Sequence, residues 1–501
     1  MKKILSLSVL VLFFVATLVS CDNELLPNNE VAATESPQES AKEVQSVMLT
    51  QDEMILLAEL SNGTPKISQE QAMNIASNFL NNGATPTSLS KHGTSVPRCE
   101  VFTRTKQRIS KSGSATEVVD TLLYVFNYDE GYAVISADVR VPEQVLAYSE
   151  EGSISLVADN PYIEMFRDMA ADYIDNHITH SEQTRDSLEK VLSEKITTTL
   201  GIAVDTTPTL SKTVRVVDRF LLTNGCWDYT TYKSTEVTGP FINTYWTQEY
   251  PYNGDAPYKG GKQCRAGCTP IAISQLMAHY EWPKFYDNGK KIDWSSITKD
   301  YSSYNYNDKR NVAEFVHKVG VAINTKYDTS GSGAWLEDGV AFLKKHGYHT
   351  NGVTSYSTDE IRKSIDLKRP VAIVGYNIAA TKKKGAKEGH TWLIDGYAKL
   401  TYDYNHRRTY VVITEDDFTG RRNGELEVNS AEGTLCRYYH HFNLGWGTNT
   451  NTNARGYFLE NTFNVKSERR LESGKGVLSV SNFYDPYDFK YSLIIATNIY
   501  P

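Results

Sequence analysis

Beyond its first twenty residues the chain has no run of eighteen uninterrupted apolar residues, so no later segment is long and apolar enough to predict a bilayer-spanning helix. It has no excess of basic residues. Lys and Arg number 52 against 60 Asp and Glu, and the net charge of −8 favours solubility and gives a nucleic-acid partner no support. It has no His-Glu-x-x-His and no Cys-x-x-Cys, and Cys264 and Cys268 with His440 and His441 lack zinc-finger spacing, so nothing calls for a metal or any other cofactor. No repeat recurs at a fixed period. What is present is a globular composition. The 501 residues are 40% hydrophobic and 22% charged, which excludes a wholly disordered or collagen-like chain and suffices for one or more sizeable cores.

The first twenty residues carry an address. Lys2 and Lys3 precede an apolar run from Ile4 to Val19, the charged-then-apolar order of a secretory signal, too short to span a bilayer comfortably. The run ends in Leu18-Val19-Ser20-Cys21, which resembles the lipobox of bacterial lipoproteins. That resemblance implies cleavage before Cys21, lipidation of Cys21, attachment to a membrane through the N-terminal lipid, and a place at the outer membrane or cell surface. Residues 1–20 are therefore excluded from the fold, and residues 21–49, polar and without an apolar period, are expected to be a flexible tether.

From about 50 to 210 helical and strand patterns alternate. Ser68 and Gln71 form a capping box, and Ala72, Ile75, Ala76 and Phe79 follow at i, i+3, i+4 and i+7, which predicts an amphipathic helix over 68–82. Leu122–Asn127 and Tyr132–Ser136, split by Asp129-Glu130-Gly131, predict a hairpin, and Val145–Tyr148 a further strand. Two helices are expected over about 161–178 and 183–197. Residues 211–222, Thr-rich upstream and basic within (Lys212, Arg215, Arg219), predict a linker open to proteolysis. Residues 223–501 are richer in Tyr, Gly, Asn and Trp, and are expected to hold strands, turns and few long helices. One exception is the stretch after Gly267-Cys268. Pro270 takes a helix-start position, and Ile273, Leu276, Met277 and Tyr280 share one face up to Trp282-Pro283.

Cys268 thus stands at a helix N-terminus, whose dipole favours a thiolate, and a histidine beside it would favour the anion further. His390 is the best candidate for that partner, because it opens the strand-like run His390–Tyr397, whose alternation puts His390, Trp392 and Ile394 on one face. Taken alone, Cys268 reads more readily as a buried structural cysteine and His390 as a satisfied strand histidine.

Four segments in order decide between these. Trp246-Thr247-Gln248 with Pro251-Tyr252-Asn253, Gly267-Cys268-Thr269-Pro270 with Gln275-Leu276-Met277, Gly389-His390 with Ile394-Asp395-Gly396-Tyr397, and Asn443-Leu444-Gly445-Trp446-Gly447 with Gly456-Tyr457-Phe458 resemble the streptopain family of papain-like cysteine peptidases. Residues 124–152 are similar to that family's inhibitory pro-domain. The resemblance implies an α+β, papain-like catalytic domain over 223–501, preceded by an α+β inhibitory pro-domain over 50–210. The chain would be a zymogen whose substrates are proteins or peptides and whose own pro-domain is its intramolecular inhibitor. Cys268 would be the nucleophile and His390 the general base. Asn443 would orient the imidazole under the cover of Trp446, and Gln248 would help hold the oxyanion, although Gln263, nearer in sequence to Cys268, competes for that place.

Three features depart from the family. Leu444 replaces a usual tryptophan, which thins the wall around the histidine. Residues 398–440 are longer than the family needs, and with Asp416, Asp417, Arg421 and Arg422 are expected to form an inserted hairpin near the active site. Cys264 lies four residues before the nucleophile. With Cys21 lipidated and Cys268 free, Cys99, Cys226, Cys264 and Cys436 remain, and their spacing does not name a disulfide. Tyr301–Asp308 is expected to be a mobile surface loop, and Lys382-Lys383-Lys384 a solvated stretch. A catalytically inactive binding module on the same fold stays open at this point, as does an amidase or transglutaminase using the same Cys-His pair.

Overall fold

Helix α1 (Gln69–Asn82) begins where its capping box places it: the Ser68 N–H donates to Gln71 Oε1 at 2.8 Å, and the Gln71 N–H donates to Ser68 Oγ at 3.2 Å. Its buried face, Ala72, Ala76, Phe79 and Leu80, lies on an antiparallel meander of β2 (Arg98–Ile109), β3 (Ala115–Asn127), β4 (Tyr132–Ser136) and β5 (Val145–Ser149). The β3–β4 turn requires glycine. Gly131 has φ +88°, and a Cβ there would stand 2.2 Å from the Ser149 carbonyl. This is a computed structural model, and it describes residues 45–50, 52–53, 55–56, 59, 64–82, 96–109, 115–156, 161–199, 214–216, 230–377, 388–404, 407–414, 422–430, 433–445, 455–463 and 491–501. The signal, Cys21, most of the tether, Cys226, Lys382–Lys384, Asp416, Asp417, Arg421 and Trp446 lie outside the described residues.

One helix, α2 (Pro161–Thr199, 39 residues), replaces the two expected. No Gly or Pro interrupts the join, the Thr184 hydroxyl turns back to the His180 carbonyl at 2.8 Å, and Arg185 pairs with Glu189 one turn on. Its far half also has partners to hold it straight: Arg185 reaches Glu59 at 2.7 Å and Lys195 reaches Glu53 at 2.6 Å.

After β6 (Val214–Val216) and β7 (Thr230–Thr238) come α3 (Cys268–Tyr280), α4 (Tyr306–Ala322), α5 (Leu336–Lys345), β8 (Val353–Ser355), α6 (Thr358–Asp366), β9 (Val371–Asn377) and β10 (Glu388–Tyr404). Strands β11 (Arg407–Thr414), β12 (Arg422–Ser430), β13 (Gly433–Asn443), β14 (Gly456–Leu459) and β15 (Tyr491–Ala496) follow. Helix is thus more abundant than the Tyr/Gly/Asn-rich composition suggests. The expected loop at Tyr301–Asp308 is instead a 3-10 turn running into α4. Asp300 caps the first through the Ser302 N–H, and Asn305 and Asp308 form a reciprocal capping box for the second.

An eleven-stranded sheet joins the two halves of the molecule in the order β8-β15-β9-β10-β13-β14-β5-β4-β3-β2, with β7 pairing the far part of β10. Period-two alternation divides its faces. Ala372, Val374 and Leu393 meet α3, α4 and α5, whereas Val371, Ile373, Trp392 and Ile394 share a core with α1 and α2. This is an α+β molecule, as the sequence predicts. At the junction Tyr148 stands opposite Tyr457 and Ala147 opposite Phe458. Phe166 of α2 meets Phe458 edge-on at 5.0 Å, the Tyr439 hydroxyl donates to the Val145 carbonyl at 3.0 Å, and the pairs Glu143–Arg437 and Glu151–Arg455 bridge the same seam. Phe458 is fully buried and contacts both halves, so Phe458→Ala should cost about 3–5 kcal/mol in urea unfolding of the full chain. A loss below about 1 kcal/mol would mean that the halves do not share this core.

A second sheet corrects three expectations. Its order is β1-β12-β11-β6, where β1 is Gln45–Leu49. The end of the supposed tether is therefore a strand, parallel to β12 from Gln45 opposite Leu426 to Leu49 opposite Ser430. The supposed linker contributes β6, antiparallel to Val412–Thr414. The insertion does form a hairpin, β11–β12, but not near Gly389-His390. It leaves the opposite end of β10, roughly 45 Å away along an extended strand. Backbone groups at the edges of that hairpin take up whatever extended chain lies beside them, which composition alone could not reveal.

Candidate active site

Cys268 is the first residue of α3, and the stretch Cys268–Ala278 is buried throughout. The helix enters through Gly267 at φ +99°, where a Cβ would press on the Ser332 carbonyl at 3.0 Å, so the chain can turn there only without a side chain. The thiol stands at the positive end of this helix, where Pro270 contributes no N–H and the Ile271 N–H already bonds the Gly267 carbonyl at 3.2 Å. The hydroxyls of Thr269 and Thr391 lie 2.8 Å apart, which pins the helix start to β10, and Thr269 also donates to the Ala334 carbonyl at 2.8 Å.

Burial alone would push the Cys268 thiol up. The hydrogen bond and charge of His390, a hydrogen bond from the Thr391 backbone and one from the Thr269 side chain outweigh it, and bring the thiol down from 9.0 to about 7. His390 is 3% exposed and stands on β10 opposite Gly375. Glycine precedes it because a Cβ at Gly389 would lie 2.3 Å from the Gly375 carbonyl. The histidine ring stacks against Trp392 with centroids 6.1 Å apart, as the alternation predicts.

The other side of the imidazole departs from expectation. Nε2 of His390 lies 3.1 Å from the Leu444 carbonyl oxygen. Asn443, two residues from the sharp turn at Gly445, is directed elsewhere. Its Nδ2 donates to the Thr244 carbonyl at 2.9 Å, and its Oδ1 accepts from Gln275 Nε2 at 3.3 Å and from the Gly445 N–H at 3.4 Å. A backbone carbonyl occupies the place in which the side-chain amide was expected, and it is indifferent to whether residue 444 is Leu or Trp. Leu444 itself is buried in the core.

Gln248 is buried, and its carbonyl accepts the Ala266 N–H at 2.9 Å, which fixes its backbone beside the turn leading into Cys268. Its competitor Gln263 is engaged, with its amide donating to the Gly254 carbonyl at 2.7 Å. Cys264 is fully buried, and Cys99, Cys264 and Cys436 are all free thiols. Two buried acid–histidine pairs flank one another on β13, His441 with Asp395 at 2.6 Å and His440 with Glu460 at 3.3 Å; the first also takes the Ile242 N–H on Asp395 at 3.1 Å and so ties the entry segment to β10.

Sequence reasoning named Cys268, His390, Asn443 and Gln248, and the structure gathers Cys268 and His390 directly. It missed the part played by Thr269, Thr391 and Gln275. Gln275 carried a signal: a long polar side chain seven residues after Cys268 which, apart from its neighbour Ser274, stands in a helix apolar in its middle.

With this geometry in view, residues 246–458 match the Peptidase C10 family, and residues 64–174 match the Spi protease inhibitor family. The chain is 23% identical over 317 residues to the thiol protease/hemagglutinin PrtT of Porphyromonas gingivalis, a match covering 56% of this chain and 32% of that protein, so it spans about a third of that relative's length. Among solved structures, the prointerpain A fragment of Prevotella intermedia is similar at 18% identity over 80% of this chain and 99% of its own, with a TM-score of 0.42. Active interpain A of Prevotella intermedia is similar at 18% identity over 53% of this chain and 96% of its own, with a TM-score of 0.32.

Proposed function

Since this chain belongs to the Peptidase C10, or streptopain, family of cysteine peptidases and carries its own Spi inhibitor domain, we propose that it cleaves polypeptides through a Cys268–His390 pair and is exported as an inactive precursor. The observation that carries the reading is a buried thiol at the first residue of a helix with the His390 imidazole hydrogen-bonded beside it, an arrangement that favours the thiolate. In the proposed reaction the Cys268 thiolate attacks the scissile carbonyl carbon. The oxyanion that forms takes hydrogen bonds from the Cys268 N–H and the Gln248 amide, each such donor contributing about 2.7–4 kcal/mol. His390 passes its proton to the leaving amine as the C–N bond breaks, leaving a thioester. Water, deprotonated by His390, then attacks the thioester and releases the acid and the thiol. The Leu444 carbonyl holds the imidazole by its second nitrogen throughout.

The inhibitor domain keeps the enzyme latent, and its removal begins with a cut in the linker region, in the regions flanking β6. Lys2, Lys3, the apolar run and Cys21 support export and lipid attachment at the outer membrane or cell surface. An epoxide that alkylates activated thiols tests the central claim: mass spectrometry should find it on Cys268 and not on Cys264 or Cys436. Labelling spread evenly over the three would overturn it. For the anchor, labelled palmitate should enter the wild-type chain in cells and be absent from Cys21→Ser; equal incorporation would refute the lipid assignment.

A further inference from the structure

Gln275 is fully buried two helical turns beyond Cys268, where a polar amide costs free energy unless every group is engaged. It is engaged on both sides. Its Oε1 accepts the Trp246 N–H at 3.0 Å, and its Nε2 donates to Asn443 Oδ1 at 3.3 Å. Asn443 in turn donates to the Thr244 carbonyl at 2.9 Å. Two side-chain amides therefore grip the Thr244–Trp246 segment at alternate backbone groups, one from the nucleophile helix and one from β13. Trp246, fully buried and stacked on Tyr252 with centroids 5.4 Å apart, seals the segment from the other side. Gln248 follows two residues on, with its own carbonyl fixed by the Ala266 N–H.

We infer that Gln275 is a positioning residue for the oxyanion site: with Asn443 it clamps residues 244–246 to the helix that carries Cys268, and so sets where the Gln248 amide stands relative to the sulfur. This rests on the proposed role of Gln248 and deepens it. An oxyanion donor works only when held at hydrogen-bonding distance from where charge develops, and a displacement of about 1 Å is enough to lose much of its effect. The same clamp gives Asn443 a function that does not involve touching the imidazole. The thiol is tied to the strand of the imidazole separately, through the Thr269 and Thr391 hydroxyls, while the Leu444 carbonyl that meets the imidazole is a backbone group beside the clamp.

The separation makes the inference testable. Full-length chains carrying a foreign protease site in the linker can be activated without relying on their own activity. In these, Gln275→Met should lower kcat on a peptide substrate about tenfold with KM within twofold, and leave the pH midpoint of Cys268 alkylation at its wild-type value. Combined with Gln248→Ala, it should add no further loss, because the residue it positions is gone. Gln275→Glu, which keeps the acceptor for the Trp246 N–H, should recover part of the activity and serves as the second variant if Gln275→Met does not fold. Additive losses in the double variant, an alkylation midpoint that moves with kcat, or no recovery in Gln275→Glu would overturn the inference. A wild-type protein whose thiol is alkylated normally but which cuts no peptide would instead refute the proposed function, and the two failures are told apart by that control.

Discussion

Replacing Cys268 by alanine should abolish hydrolysis of a protein substrate, with a fall in kcat of about 10⁶-fold, and should leave the full-length chain accumulating as uncut precursor. The size of the effect follows from the place of the sulfur in the proposed reaction: every covalent step passes through it, and no other described thiol has the same surroundings. Cys264, four residues earlier, is fully buried, and its carbonyl accepts from Asn253 Nδ2 at 3.0 Å. Gel analysis of cells or of purified protein incubated over hours reads the outcome. Loss of proteolysis together with normal processing would show that another protease cuts the linker, and retained proteolysis would remove Cys268 from the chemistry altogether.

The second large effect concerns the thiol itself. In the wild-type protein, burial raises the Cys268 pKa while His390 and the smaller hydrogen bonds lower it further, to about 7. Deleting the imidazole with His390→Ala leaves burial in command, so the midpoint for iodoacetamide alkylation should climb by about two units or more. The sign is fixed by which form reacts. Thiolate is the nucleophile, so the wild-type rate falls as pH drops through about 7, whereas the variant still gains reactivity above pH 9. At pH 8 the difference amounts to about tenfold or more in alkylation rate. A midpoint within half a unit of wild type would mean that the helix terminus alone activates the sulfur.

Much of this site was legible because it is written locally. The capping box at Ser68, the Gly-Cys entry to a buried helix and the strand alternation from His390 each depend on neighbours within a few residues, and each takes the predicted form. What was not legible depends on distant backbone. Nothing in the spacing of Asn443 says that a neighbouring carbonyl will meet His390 while the amide turns to Thr244 and Gln275. The length of α2 depended on ion pairs with residues 53 and 59, more than a hundred positions earlier, and the strands at 45–49 and 214–216 exist because a hairpin far later in the chain offers them edges. Helix α4 was missed because its cap, Asn305, lies among tyrosines and asparagines, residue types that composition counts as loop, and α5 because its N-cap is Trp335, with no side-chain cap to mark it.

The seam between β5 and β14 has a consequence for activation. A nick between the halves severs one covalent connection but leaves a ladder of main-chain bonds, a common aromatic core and the parallel pairing of residues 45–49 with 426–430 all intact. On the proposed activation, the product of the cut would be a two-chain particle whose latency ends only when one chain peels from the other. Scission and the onset of activity become distinct events in time, the first set by protease access and the second by how fast a shared sheet unzips.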